Sequence, residues 1–143
     1  MGMSYETDVV AWANEQAALL RAGKFSALDI EHIADEIEDV GKSEQRELTS
    51  RMAVLLALLL RWQCQPEGRG ANWQTALRVQ REAIDRRLNW TPSLRSMLHD
   101  NDWIYDIWSD AVVKAIEETD LSVFPEACPW SMQQALDPEF LPD

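Results

Sequence analysis

Cysteine, glycine and histidine are scarce in this 143-residue chain, and each scarcity excludes something. Two cysteines, Cys64 and Cys128, are too few for a disulfide framework, and neither has a histidine near it in sequence to make a nucleophile–base pair. They are expected as packing residues in a reducing compartment. Among the five glycines, Gly68 and Gly70 match neither the P-loop nor the dinucleotide-binding spacing. The longest apolar run, Met52 to Leu60, covers about half of a membrane span. The start, MGMSYETDVV, lacks the basic region and apolar stretch of a signal peptide, and Glu6 stands where a myristoylation motif needs Ser or Thr. Met3 reads as the natural start. These absences predict a cytoplasmic protein with no membrane partner.

What is present predicts one globular domain over residues 1–143. The apolar fraction of 46 % is that of an ordered soluble chain, and the length suffices to bury roughly two-thirds of the unfolded surface. Seven tryptophans are expected as bulky anchors where helices cross. The net charge of −12 is unevenly spread: residues 1–50 carry −7, residues 51–95 carry +5 and residues 96–143 carry −10. So acidic a chain repels nucleic acid at long range, while its basic middle could hold a local anion.

No period-two alternation, internal repeat or low-complexity segment occurs, and the apolar spacing is helical throughout. The first helix is expected from Asp8 to Arg21, capped by Thr7 or Asp8 and ended by Gly23. After a short turn, Asp29 caps a helix with Ile30, Ile33, Ile37 and Val40 on one face and a dense acidic face opposite. Gly41 leaves two readings open. Either it ends this helix, or one long bent helix runs on through Leu48, Met52, Leu55, Leu59 and Trp62 to stop before Pro66. Glu67–Asn72 reads as a loop, and Trp73, Leu77, Ile84 and Leu88 mark a helix ending near Trp90. Thr91-Pro92 restarts the chain as cap and first helical residue, and His99–Asp102 interrupts the apolar positions that follow. A proline-rich tail from Leu121 to Asp143 is expected to wrap the bundle, with a short helix opened by the S-x-x-Q box at Ser131. The fold class is all-α: an irregular helical bundle of about five helices.

Three constellations could carry chemistry. Asp29, His32 and Glu36 share a helix face at metal-ligand spacing, but His99 has Ser96 where a matching second motif needs an acid. A solvated face with His32 paired to Glu36 is the competing reading. Glu44, Glu47, Glu82 and Asp85 fit the paired E-x-x-E and E-x-x-D motifs of all-α metal-dependent phosphohydrolases, matches that arise easily among 25 acids. Arg78 and Arg81 share a face of the central arginine-rich helix flanked by Trp73 and Trp90, as anion or RNA binding requires. Glu82 and Asp85 interrupt that stripe, so pairing within the fold competes. No cofactor is implied by any of them.

Short blocks along nearly the whole chain resemble a known family. They include Tyr5-Glu-Thr-Asp8, Trp12-Ala-Asn-Glu-Gln16, Leu59-Leu-Arg-Trp-Gln-Cys-Gln-Pro66 and Phe124-Pro-Glu-Ala-Cys-Pro-Trp130. In order and spacing they resemble the bacterial domain-of-unknown-function family 29. The resemblance implies a helical fold and a bacterial cytoplasmic protein, and carries no activity over. The family's LLxHLLKxQxQP block has a histidine where this chain has Leu58, and Arg61 replaces its lysine. A histidine-dependent site there would lack its central ligand, so the segment is expected to pack. The expected function is a non-enzymatic helical module that binds a protein partner or itself.

Overall fold

A computed structural model describes residues 4–119 and 124–143. The expected start of the tail at Leu121 and the Met1-Gly2-Met3 start lie outside them. Among the described residues no strand occurs. Five α-helices follow in order: α1 (Val9–Arg21), α2 (Ile30–Cys64), α3 (Ala71–Trp90), α4 (Asn101–Thr119) and α5 (Met132–Leu136). Short 3-10 segments cover Phe25–Ala27, Pro66–Gly68 and Pro92–His99. The fold is all-α. The chain forms two compact units, Met1–Glu44 and Gln45–Asp143, and α2 contributes to both.

In the N-terminal unit the local signals work as their chemistry dictates. Asp8 caps α1, its side chain accepting from the Ala11 amide at 3.0 Å. Gly23 (φ 74°) ends it in a Schellman motif, with Lys24 N–H donating to the Leu19 carbonyl and Gly23 N–H to that of Leu20. α2 then runs unbroken through Gly41, which settles the two open readings in favour of one helix.

The C-terminal unit holds a packed core. Leu48, Met52, Leu55, Leu59 and Trp62 of α2 meet Leu77, Ile84 and Leu88 of α3, Ile107 and Trp108 of α4, and Met132 and Ala135 of α5. Leu58 is half-buried and packs against this cluster, as its apolar character leads one to expect. α2 stops at Cys64 before Pro66, and Arg69 Nε donates to the Trp62 carbonyl at 2.6 Å, satisfying one of the orphan acceptors of the helix end.

Two local expectations change. The loop expected over Glu67–Asn72 is shorter, because α3 already begins at Ala71. The stretch after Thr91 is 3-10 from Pro92 to His99, and Thr91 gives no side-chain cap. α4 starts at Asn101, inside the expected interruption, where the Asp100 carboxylate accepts from the Asp102 and Trp103 amides. The Ser131 capping box is complete: Ser131 Oγ accepts from the Gln134 amide and Gln134 Oε1 from the Ser131 amide.

Candidate functional site

The N-terminal unit is organised by a small polar and aromatic network. Trp12 of α1 is buried, and its indole N–H donates to Asp29 Oδ2 at 3.0 Å. Gln16, also buried, accepts from the Asp29 amide at 2.8 Å. His32 Nδ1 lies 2.7 Å from the same Asp29 oxygen, and its Nε2 lies 3.3 Å from Glu6 Oε1. Tyr5 stacks on the His32 ring at 4.2 Å, meets Trp12 edge-on, and donates its hydroxyl to Glu36. The hydrogen bond from His32 holds Asp29 below the usual carboxylate range, and that same bond raises His32. The hydrogen bond to Glu36 pushes Tyr5 up to about 12.

Of the three candidate metal ligands, Asp29 and His32 thus meet, while Glu36 serves Tyr5. Both ring nitrogens of His32 face carboxylates, which favour its protonated form, and in that form the ring has no lone pair to offer a cation. Among the described residues no group of three or more His, Cys, Asp or Glu is placed to hold a metal ion. The network is a staple between the start of the chain, α1 and α2.

The other candidate carboxylates face separate partners. Glu47 Oε1 lies 3.0 Å from Arg51 Nε and 3.6 Å from Arg87. Glu82 pairs with Arg78 at 3.5 Å, and Asp85 accepts from the Asn89 amide group at 3.4 Å. Glu44 is half-buried on α2, at the end of the N-terminal unit. The two anion candidates diverge as well. Arg78 is exposed beside Glu82, whereas Arg81 is only 6 % exposed. Its guanidinium donates to the carbonyls of Ala135 (2.9 Å), Pro138 (3.4 Å) and Phe140 (2.8 Å), so it clasps the tail. A groove of about 590 Å³ between α3 and the tail is lined by both arginines, Glu82 and Glu139.

Neither thiol has a reactive setting. Burial raises both Cys64 and Cys128, and Cys128 Sγ donates to the Trp130 carbonyl at 3.3 Å. The Leu59–Pro66 and Phe124–Trp130 blocks pack with their neighbours. Arg61 lies over the Trp73 ring at 4.7 Å and reaches Glu118 at 2.7 Å; the Trp108 indole donates to Pro125, and Trp130 sits edge-on to Trp108 and Phe140.

The most unusual surface is on α2. Its apolar face is fully buried at Leu48, Met52, Leu55 and Leu59, yet the same face is open at Ile30 (68 % exposed), Ile37 (67 %) and Val40 (68 %). The side chains of Glu31, Asp35 and Asp39, exposed nearby on the helix, make no hydrogen bond or ion pair among the described residues.

The family described as Domain of unknown function DUF29 matches residues 4–141, nearly the whole chain. The chain belongs to that family. No curated protein and no solved structure matches it. No helix among the described residues is long and apolar enough to cross a membrane.

Proposed function

We propose that the protein is a non-enzymatic docking module whose α2 receives a basic, amphipathic helix of a partner protein. One observation carries this: the apolar seam of α2 continues in phase from the buried core into Ile30, Ile37 and Val40, which no described residue covers. With the half-buried Ile33 they stand at i, i+3, i+7 and i+10, the kind of spacing helix-in-groove recognition uses. Charge selects the partner. Residues 1–44 contain ten acids and three bases, so a second copy would set like against like. A cationic helix instead meets the carboxylates beside the seam. The two unpaired thiols support a reducing compartment, and we place the module in the cytoplasm.

The test uses a synthetic helical peptide with leucines at this spacing flanked by lysines, and its counterpart with glutamates for lysines. The lysine peptide binds, the glutamate peptide does not, and Ile37→Glu loses roughly tenfold or more, the effect of placing a charge in an apolar contact. Equal binding by Ile37→Glu, or none by either peptide, would sink the reading. Should light scattering find a dimer that Ile37→Glu splits, the seam's occupant is a second copy and the basic partner is withdrawn.

A further inference from the structure

The arginines that line an anion-ready hollow are not those whose spacing suggests one. Arg78 is matched by Glu82, and Arg81 is spent on backbone carbonyls. One turn beyond Arg81, α3 presents Ala83, Arg86, Arg87 and Trp90 along one side, and Arg51 of α2 faces them. Together these five enclose a hollow of about 240 Å³. Ala83 supplies the space, because a longer side chain at that position of the stripe would fill it.

Each wall has a definite condition. Glu47 draws Arg51 and Arg87 toward one carboxylate oxygen, which orients both side chains. Arg51 is steadied further by the Gln80 side-chain oxygen at 3.4 Å. The Arg86 side chain is exposed and makes no hydrogen bond or ion pair among the described residues. Trp90, the last residue of α3, is 81 % exposed, whereas Trp12, Trp62, Trp108 and Trp130 are buried. An indole left in water beside an unmatched guanidinium forfeits burial that its neighbours obtain.

We propose that this hollow binds a mononucleotide: Arg86, with Arg51 and Arg87 beside it, holds the phosphate, and Trp90 stacks on the base. Guanidinium groups suit phosphate because their planar forks bond its oxygens in pairs. Phosphate alone would leave the indole unused; a planar ring uses it. A free nucleotide fits better than a nucleic-acid strand, since the chain's charge of −12 repels a polyanion along its length.

Titration calorimetry of the full chain at low salt, with adenosine monophosphate and separately with inorganic phosphate, tests this. The nucleotide binds more tightly than phosphate, and added salt weakens both. Arg86→Gln costs roughly tenfold, the loss of a charge-assisted bond, while Arg95→Gln, which removes one exposed arginine elsewhere, changes nothing. Trp90→Leu brings nucleotide affinity down to that of phosphate. Circular dichroism verifies that each variant keeps its helices. The proposal falls if neither probe binds at millimolar concentration, or if Arg95→Gln costs as much as Arg86→Gln, which would make the attraction diffuse. If Trp90→Leu binds the nucleotide undiminished, the base-stacking half is overturned. A single-stranded oligonucleotide binding more tightly per phosphate than the mononucleotide would overturn the choice of ligand.

Discussion

At Arg81 a full charge enters a hydrophobic core and is stabilised by three carbonyl oxygens of the tail, with no carboxylate among the described residues bonded to it. Burial pushes this guanidinium down, yet arginine still holds its proton, and its fork suits several fixed acceptors at once. Arg81→Met keeps most of the stem and strands the three carbonyls. It should lower stability by about 2–4 kcal/mol, seen as an earlier urea midpoint with an unchanged slope. Arg81→Lys should recover only part, because one ammonium cannot serve three divergent acceptors. His32 sets a different dependence. Its ordinary value is 6.5, and Asp29 with Glu6 raises it in the folded chain. Its stabilising contribution is therefore complete below about pH 6.5 and fades as pH rises through the raised value. Asp29 works in the opposite sense: lowered from 3.8, it contributes above that value and fades as pH falls through the lowered one. The N-terminal staple is strongest between the two. His32→Gln should remove the alkaline fall in stability while leaving the acid side to Asp29. Proton NMR titration of the His32 ring checks the cause, and a midpoint at or below 6.5 would refute it.

At the scale of elements, what could be read from the chain was what neighbours in sequence decide. The start and end of α1 follow from Asp8 and Gly23, and the box opening α5 follows from Ser131 and Gln134, because donor and acceptor lie within one turn. The unbroken phase of apolar residues through Gly41 describes one helix, and α2 is one helix. The 3-10 segment from Pro92 to His99 was harder, since Leu94, Met97 and Leu98 recur at a spacing that both helix types satisfy. Arg81 was illegible for another reason. Its partners are backbone carbonyls 54 to 59 residues away, and a carbonyl belongs to every residue type. Likewise Arg51 reaches Arg86, Arg87 and Trp90 only through the register of two helices, which no local spacing records. Periodicity identified the face of Ile30, Ile37 and Val40 as apolar. It does not report whether anything covers a face, so the open half of α2 became visible only in three dimensions.

Across the whole molecule, the acids are gathered toward the two ends of the chain and the arginines toward its middle. The acidic excess repels bulk polyanions, while the docking seam and the arginine hollow act over a few ångströms, where particular neighbours outweigh net charge. α2, 35 residues long, contributes residues to both compact units. It is helical throughout, yet only the turns from Leu48 onward are sheathed by a core. Opening the bare half exposes little new apolar surface; opening the sheathed half dismantles the C-terminal unit. Amide hydrogen exchange should therefore differ sharply along one continuous helix, fast from Ile37 to Val40, beyond the residues the N-terminal staple holds, and near the global unfolding limit from Met52 to Leu60. Uniform protection would mean that the seam is already occupied. A ligand that seats on Ile30, Ile37 and Val40 should slow exchange in the first stretch and leave the second as it was, so the helix itself records where its partner lies.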